Sequence, residues 1–418
     1  MQKKTYLCPV NRLISLNIMK KYIYLFLSIA LLCACANDYK SDPTSPTGEG
    51  GFGADEGFGG GASGNGEGQG QPGMITAGEW RDLDNWLFWS NLMTKEQPDQ
   101  SGENYYSYCD DWALFTNNRV AVRVKNAEGI PQRDVPIQLK RDASILYEAR
   151  TDNKGETNLW IGLSQKQESV DATSLNLVVN GQALNQPVNI THWGEEIVWN
   201  ECTASVTSTK NIDIAFIVDA TGSMMDEIAF LKQDLTDIID RVANSAANAN
   251  IRTAALFYRD EGDDYLTRHS DFSADLSVTT TFIEQQNADG GGDYPEAVHT
   301  ALEVGLQKLS WREDQCIRLA FMLLDAPPHH NESVIANLHQ SIPLYAKAGI
   351  RIIPVAASGV DRSTEFFLRA TAIATDATYV FITDDSGIGD EHLEPTVGDY
   401  QVELLNDLIV RLITQYME

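Results

Sequence analysis

The feature that most constrains this chain is a regular alternation of strand-like and helix-like segments that begins after Lys210. Residues 213–219 form an apolar run that fits a buried strand, and residues 224–246 repeat apolar side chains at helical spacing. The same reasoning predicts strands at 252–258, 317–325, 351–357 and 379–383, and helices at 295–309, 332–348, 363–374 and 401–416. We therefore expect residues 210–418 to form an α/β fold, a doubly wound and mostly parallel sheet with helices on both faces.

The first predicted strand ends in a carboxylate, Asp219, and two hydroxyl residues, Thr221 and Ser223, follow in the turn toward the first helix. Alternating side chains of one turn can point to a single spot, and hard cations such as Mg²⁺ take about six oxygen ligands. The turn therefore indicates a metal site. In the alternative interpretation, Ser223 and Asp226 only cap the helix.

The D-x-[ST]-x-S pattern of this turn resembles the metal-ion-dependent adhesion site of von Willebrand factor A domains. The resemblance runs from about residue 210 to residue 418. It implies a bound divalent cation, Mg²⁺ with Mn²⁺ or Ca²⁺ as alternatives. It also implies a protein that binds a protein partner through the metal and is not an enzyme.

The family adds a Thr from a later loop, but here that loop reads Gly-Gly-Gly-Asp-Tyr-Pro-Glu over 290–296, with Asp293 in place of the Thr. A Gly-Gly-Asp-x-Pro-Glu loop of this kind occurs in the hemicentin-like branch. The family's last ligand, an Asp after the fourth strand, corresponds to Asp325. The resemblance thus implies five metal ligands: Asp219, Thr221, Ser223, Asp293 and Asp325. Asp293 and Glu296 also fit a capping box around Pro295, a role compatible with metal binding.

Topology supports the same site independently. In a doubly wound sheet of strand order 3-2-1-4-5-6, strands 1 and 4 are neighbours, and ligands bind beyond their carboxyl ends. Asp219 and Asp325 would end those two strands. With Asp293, three carboxylates could approach the ion, so we expect tighter cation binding and a weaker demand for an acidic partner than in relatives with Thr.

Other polar residues should follow the strands at this edge. His329 and His330 could ligate a softer metal, although adjacent histidines after a Pro-Pro turn are more typical of the surface. The remaining candidates are acidic or hydroxyl residues that we expect to form a solvated rim, with a second cation site as the alternative: Asp260, Glu261, Asp263, Asp264, Asp384, Asp385 and Ser386.

The N-terminal residues predict export and lipid anchoring. Lys20 and Lys21 precede an apolar run at 22–32 that is too short to span a bilayer but fits a signal peptide, with Met19 as a possible start. The run ends in Leu-Cys-Ala-Cys over 32–35, which resembles a lipobox, so residues 1–34 would be removed and Cys35 acylated. An ordinary cleaved signal and an uncleaved anchor remain alternatives. We expect an outer-membrane lipoprotein of the bacterial cell envelope, periplasmic or surface-facing.

Three further segments separate the anchor from the α/β domain. Residues 35–79 are rich in Gly and polar residues and predict a flexible linker. Residues 80–117 are rich in aromatic side chains, which either pack against the next domain, the simpler expectation, or form a sugar- or peptide-binding platform. Residues 118–207 show strand alternation and turns, and resemble Ig-like sandwich modules related to the carboxypeptidase regulatory domain.

The cysteines of the exported chain show no zinc-type spacing. Cys109 and Cys202 flank the predicted sandwich in polar surroundings, and disulfides persist outside the cytoplasm. We expect them to be joined. Cys316 begins an apolar strand and should be a buried thiol.

The net negative charge of the chain argues against two classes of partner, nucleic acids and anionic lipid surfaces. The 418 residues carry a formal net charge of -28, which repels nucleic acid and anionic lipid surfaces. A tethered protein that binds a protein partner is the leading hypothesis. The alternatives are a structural envelope component stabilised by its metal and a metal-dependent hydrolase using Asp219, Asp325 and His329, for which no nucleophile–base pair is evident.

Overall fold

The computed structural model describes residues 73–94, 104–167, 169–245, 249–313, 315–388 and 391–418, with only the backbone described at 226, 245 and 386. The predicted signal peptide, Cys35 and the linker up to residue 72 lie outside these residues. None of the helices in the described ranges is long and apolar enough to cross a bilayer.

Fifteen strands are found within the described ranges: β1 Thr76–Trp80, β2 Arg119–Lys125, β3 Pro136–Arg141, β4 Ser144–Arg150, β5 Glu156–Trp160, β6 Leu175–Val179, β7 Gln182–Ala183, β8 Trp199–Thr203, β9 Asn211–Asp219, β10 Asn250–Tyr258, β11 Thr267–Ser273, β12 Ile317–Leu324, β13 Ile350–Ala356, β14 Tyr379–Ile382 and β15 Glu403–Leu404. The α-helices described are α1 Trp86–Thr94, α2 Ser107–Trp112, α3 Met225–Ser245, α4 Leu276–Glu284, α5 Val298–Gln307, α6 Glu332–Ala348, α7 Arg362–Ala374 and α8 Leu405–Met417.

The large sheet has eight strands in the order β11-β10-β9-β12-β13-β14-β1-β15. Strands β9, β10, β12, β13 and β14 are mutually parallel, and β11 returns antiparallel to β10. Strands β9 to β14 thus follow the expected order 3-2-1-4-5-6, which confirms the doubly wound α/β class. Every residue of the central strand β12 is buried, as expected for a strand covered on both faces.

The sheet extends beyond the predicted strands because β1 pairs antiparallel with β14 on one side and with β15 on the other. Residues 76–79, which were predicted to belong to the flexible linker, lie in this strand. Ile75 and Ala77 are fully buried in the core that includes α8. Gly78 is packed so closely that a Cβ there would lie 2.6 Å from the Phe381 ring. The linker boundary was wrong because β1 is stabilised by partners about 300 residues away.

Between β1 and β9, the chain forms two smaller sheets, β5-β2-β8 and β4-β3-β6-β7. Pairing is antiparallel except between β2 and β8, which are parallel. This layer of small strands matches the predicted β-rich region, whereas its relationship to Ig-like modules stays a prediction.

The aromatic segment packs against the α/β domain as well as against residues 118–207, the next domain, where the simpler expectation placed its contacts: Trp86 lies 6.0 Å from Trp160 between ring centroids. The Trp89 ring stacks on Phe366 of α7 with a centroid distance of 5.7 Å. Trp112 lies 4.9 Å from Phe367 by the same measure, and its indole nitrogen donates to the Ser363 hydroxyl at 3.0 Å. Both tryptophans are buried, so these rings form core and not an exposed platform.

Buried ion pairs and hydrogen bonds also join the small sheets and the aromatic segment to the large sheet and its helices; we call this contact region the junction. Arg369 of α7 donates through Nε and Nη2 to the two oxygens of Asp82, at 2.9 and 2.6 Å. Asp376, which follows α7, accepts from Asn158 Nδ2 at 2.6 Å and from the Thr157 hydroxyl. The carboxylates of the junction are therefore paired with side chains from another part of the chain.

The predicted disulfide is not present. Cys109, Cys202 and Cys316 are all free and buried. Cys109 Sγ lies 3.4 Å from Met93 Sδ, whereas Cys202 Sγ on β8 lies 4.0 Å from Nε2 of Gln186, which follows β7. The disulfide prediction was wrong because each thiol packs against a neighbour other than its predicted partner. Cys316 is the buried thiol that the sequence predicted.

Candidate metal centre

The two strands predicted to carry the site end side by side. Strands β9 and β12 pair in parallel, with Val218 opposite Leu323. Asp219 ends β9 and is fully buried, and Asp325 directly follows β12 and is 3% exposed. We call the surface formed by residues 219–223, 290–296 and 325–330 the carboxyl edge. Its position beyond strands 1 and 4 is the one that topology predicted.

The turn after β9 brings three predicted ligands together. Asp219 Oδ1 accepts hydrogen bonds from the Thr221 backbone nitrogen at 2.9 Å and from the Thr221 hydroxyl at 2.6 Å. The Thr221 and Ser223 hydroxyl oxygens are 3.2 Å apart. Asp219 and Thr221 are fully buried while Ser223 is exposed, so the cluster opens toward solvent at Ser223.

The alternative that Ser223 and Asp226 cap the helix stays a prediction. No side-chain cap is formed at the short helical turn Gly222–Met224 that leads into α3. The Asp226 side chain lies outside the described part of the chain.

A glycine loop covers the turn. The Gly222 nitrogen donates to the Gly290 carbonyl at 3.1 Å, and the Asp289 nitrogen donates to the Ala220 carbonyl at 3.1 Å. Gly290 has φ of +81°, and a Cβ there would lie 2.4 Å from a carboxylate oxygen of Asp263. Glycine is required at this position because a side chain would both strain the backbone and clash.

Asp293 and Glu296 differ in position. Asp293 is exposed, whereas Glu296 is 2% exposed. Helix α5 begins at Val298, and its N-cap, Ala297, makes no side-chain cap bond. The predicted helix start at Pro295 and the capping box were therefore wrong. The reason is that the Glu296 nitrogen donates to the Pro327 carbonyl at 2.8 Å, which ties this residue to the loop after β12.

Three buried carboxylates of the carboxyl edge each have an oxygen without a hydrogen-bond partner: Asp219 Oδ2, Glu296 Oε2 and Asp325 Oδ1. Burial raises the pKa of Asp219. Burial also raises the pKa of Asp325, and the Asp219 charge adds to the increase, while a hydrogen bond from Ser223 opposes it. Burial and then the charges of Asp219, Asp260 and Asp325 raise the pKa of Glu296 to about 9. Among the described residues, no Lys or Arg side chain forms an ion pair with Asp219, Glu296 or Asp325 to oppose these increases.

The donor set fits a hard cation. Carboxylate and hydroxyl oxygens from Asp219, Thr221, Ser223 and Asp325 are the ligand types that Mg²⁺ and Ca²⁺ prefer. Across the described ranges, no three His, Cys, Asp or Glu side chains form a metal-holding group by themselves. Any cation here would depend on hydroxyl groups and water in addition to carboxylates.

The histidines that follow β12 have separate partners. His329 Nε2 lies 2.7 Å from Asp260 Oδ1, which closes one side of the carboxyl edge. His330 Nε2 lies 2.9 Å from the Asp111 carbonyl, and its ring meets Trp112 at a centroid distance of 5.1 Å. The two histidines therefore do not converge on one metal.

Two of the other predicted rim acids contact parts of the chain beside the site: Asp263 contacts the glycine loop, and Asp384 contacts His392. Asp263 Oδ2 accepts from the Gly291 nitrogen at 2.9 Å and so holds the glycine loop. Asp384 Oδ1 lies 2.8 Å from His392 Nδ1, and the other ring nitrogen of His392 lies 3.1 Å from Glu227 Oε1 on α3. Asp385 is exposed, and Ser386 has only its backbone described.

Three buried residues near the site were not predicted to lie there from the sequence: Glu227, Glu296 and His392. Glu296 was visible in the motif but was interpreted as a helix cap. Glu227 and His392 carry no local signal, because their contact joins the start of α3 to a loop 165 positions later.

Comparison with known proteins agrees with this fold. Residues 213–387 match the family model of the von Willebrand factor A domain, so the chain contains such a domain. The match begins in β9 and includes the carboxyl edge. This domain class commonly mediates protein–protein interactions.

Two curated relatives match parts of the chain. An ariadne-like RING finger protein of Acanthamoeba polyphaga mimivirus is 32% identical over 133 residues, 31% of this chain and 12% of the relative. An alpha-protein kinase, vwkA, of Dictyostelium discoideum is 25% identical over 208 residues, 48% of this chain and 32% of the relative. The chain therefore spans at most about a third of either relative.

Among solved structures, BatB from Bacteroides thetaiotaomicron covers 49% of this chain and 98% of its own length, with 12% identity and a TM-score of 0.35.

Proposed function

We propose that this chain is an envelope-anchored binding protein that recognises a protein partner through a divalent cation at the carboxyl edge. Asp219, Thr221, Ser223 and Asp325 would hold the ion, Mg²⁺ with Mn²⁺ or Ca²⁺ as alternatives. The bound ion would supply a coordination position for an oxygen of the partner. The observation that carries the proposal is the group of buried carboxylates with unpartnered oxygens around a hydroxyl-lined opening.

The surface around the opening supports a protein partner. Met225, the first residue of α3, is 63% exposed, and Tyr294 of the glycine loop is 43% exposed. Methionine and tyrosine are enriched in protein interfaces, where they contribute apolar contact at the centre of a patch. The Tyr294 hydroxyl also donates to the Gly359 carbonyl at 2.9 Å, so the ring is held in place before a partner arrives.

A pull-down from cell-envelope extract, with and without chelator, tests this function. We expect a protein partner that is captured by the wild-type chain in Mg²⁺, lost in chelator and lost with Asp219→Ala. Asp385→Ala is the control, because Asp385 is an exposed acid that follows β14, at the carboxyl ends of the same sheet. A partner retained equally in chelator would instead favour a structural component whose metal only stabilises the fold.

The hydrolase alternative has less support from the geometry. His329, which a hydrolase would use together with Asp219 and Asp325, contacts Asp260 and neither of those two acids. Metal-dependent turnover in a panel of ester, phosphoester and peptide substrates, lost with His329→Ala, would favour this alternative over binding.

Anchoring is proposed from the sequence around Cys35. We expect Cys35→Ser to release the protein from membranes, because the acyl chains would be absent. Membrane fractionation at high salt checks this result, since salt removes proteins held only by charge. A variant that stays with the membrane would contradict lipid anchoring and leave the binding proposal intact.

A further inference from the structure

We propose that a groove at the amino ends of β9 and β12 binds an acidic peptide segment of a protein partner. These strand ends lie at the edge of the large sheet opposite the carboxyl edge. Ile212, near the start of β9, lies seven residues before Asp219. A strand rises about 3.3 Å per residue, so the two surfaces are about 23 Å apart. The groove is therefore a site separate from the proposed cation site.

The groove forms where the small sheets meet the large sheet, and it encloses about 560 Å³. We call it the amino groove; it is lined by residues from the segments 130–133 and 206–212, with Ile317 and Met417. Its most buried lining residues are apolar, since Ile212 is 1% exposed and Ile317, the first residue of β12, is 5% exposed. A cavity of this size and lining accommodates apolar side chains of a ligand.

Two cations also line the amino groove, the half-buried Arg133 and the exposed Lys210. Arg133 Nη2 donates to the Ser208 hydroxyl at 3.0 Å and to the Thr209 carbonyl, which holds the guanidinium in place. In the described part of the chain neither cation forms an ion pair, not even with the exposed Glu418, which lines the same groove. The groove therefore presents positive charge to a ligand.

The charge of Arg133 lacks the compensation that buried charges have at the junction. Its sequence neighbour Asp134 is paired with Arg150 and, at 3.0 Å, with Arg318. Burial lowers the pKa of Arg133, and the Asp134 charge opposes this decrease without reversing it. A half-buried guanidinium without an ion pair is well suited to a ligand carboxylate, because the two groups form charge-assisted, bidentate hydrogen bonds.

A peptide segment fits these features better than a small ligand does. Ile130, beside the buried part of the groove, is 57% exposed. A small molecule inside the cavity would leave this side chain in water, whereas a peptide that extends out of the cavity would cover it. The chain carries a formal net charge of -28, so most of its surface repels an acidic segment, and the two cations determine where such a segment binds.

Fluorescence anisotropy of the full chain with a labelled synthetic peptide, Asp-Asp-Leu-Phe-Asp-Asp, tests the proposal. We expect this peptide to bind about tenfold more tightly than Asn-Asn-Leu-Phe-Asn-Asn, which lacks the charge, and than Asp-Asp-Ser-Ser-Asp-Asp, which lacks the apolar anchor. Chelator should not change the affinity, because the proposed cation site lies at the other edge of the sheet. No binding of the acidic peptide at about 1 mM, or equal binding of the amide peptide, would overturn the proposal.

Two substitutions in the groove, each with a control, locate the bound peptide. Ile130→Asp should weaken binding about tenfold through charge repulsion, whereas Leu344→Asp, at a 46% exposed position of α6, should change it less than about twofold. Arg133→Gln removes the charge and keeps a donor for the Thr209 carbonyl, and it should also weaken binding about tenfold. Lys308→Gln is its control, because Lys308 is exposed and lies outside the groove. Circular dichroism verifies that each variant folds.

Three further outcomes would contradict the assignment. The first is an Ile130→Asp protein that binds no more weakly than Leu344→Asp, or an Arg133→Gln protein with wild-type affinity. The second is dodecanoate that binds with the same dependence on Ile130 and Arg133 while the peptide does not, since the groove would then hold a small amphipathic acid. The third is a dimeric wild type that Ile130→Asp converts to a monomer in sedimentation velocity, which would mean that a second copy covers the groove.

Discussion

The junction and the carboxyl edge both bury carboxylates, but they compensate them differently. At the junction, Asp82 is bonded by Arg369, and Asp134 is contacted by Arg318 at 3.0 Å and by Arg150. At the carboxyl edge, Asp219, Glu296 and Asp325 are equally buried, and each keeps an oxygen without a hydrogen-bond partner.

This difference indicates what each region is for. Burying a carboxylate costs several kcal/mol unless a partner compensates the charge. The junction is complete within the chain and fixes the small sheets against the large one. The carboxyl edge keeps unpaired buried acids, which cluster at functional sites, and this supports the proposed cation site.

The largest expected effect of a single substitution is at the junction. Arg369→Met removes the positive charge that Asp82 and Glu365 share and should lower the free energy of unfolding by about 3 to 5 kcal/mol, the usual cost of breaking a buried pair. Urea unfolding measures the loss. Arg241→Met is the control, because the ion pairs of Arg241 with Asp237 and Asp407 are partly exposed and should each contribute less than about 1 kcal/mol. If both variants lost the same free energy of unfolding, the buried ion pairs of Arg369 would contribute no more to stability than the ion pairs of Arg241.

The same kind of substitution at the carboxyl edge should act in the opposite direction. In chelator at pH 8, Asp219→Asn removes an uncompensated buried charge and keeps the oxygen that accepts from Thr221. We expect the free energy of unfolding to rise by about 1 to 3 kcal/mol. Asp385→Asn, at an exposed position, should change it by less than about 0.5 kcal/mol. A destabilised Asp219→Asn protein would mean that the carboxylate is already compensated without metal.

The pH dependence of stability should show the same uncompensated acids. Because the pKa of Glu296 is raised to about 9 from an ordinary value of 4.5, the folded state binds more protons than the unfolded state between these limits. The free energy of unfolding in chelator should therefore fall as pH rises from 5 to 9, by up to about 1.4 kcal/mol per pH unit for one such group. Urea unfolding at several pH values measures the slope, which Glu296→Gln should flatten. A stability that rises with pH over this window would contradict the account.

The smallest expected effect concerns the cysteines. Since Cys109, Cys202 and Cys316 are free, a reductant should change the free energy of unfolding by less than about 0.5 kcal/mol, whereas losing a disulfide costs about 2 to 5 kcal/mol. Alkylation of the denatured, unreduced protein should label all three. Protection of Cys109 and Cys202 together would restore the disulfide that the sequence suggested.

The sequence predicted the parts of this structure that depend on local patterns. The apolar runs of β9 and β12 and the order of the strands placed Asp219 and Asp325 side by side, because parallel strands end at one edge. The sequence did not reveal β1, whose pairing with β14 depends on residues far along the chain.

In the candidate site, too, local sequence patterns predicted some features, and contacts between distant residues decided the others. Residues 293–296 show a spacing that suits either a cap or a metal ligand. Which acid of that loop turns inward was decided by the bond from Glu296 to the Pro327 carbonyl, a contact that no local pattern shows.

The most direct test of the central claim is the free energy of unfolding of the wild-type chain with and without Mg²⁺ at neutral pH. If the buried acids of the carboxyl edge bind the cation, Mg²⁺ at about a hundred times its Kd should add about 2.7 kcal/mol, and Asp219→Ala should abolish the gain. No gain in wild type, or an equal gain in Asp219→Ala, would contradict the claim that these carboxylates form a cation site.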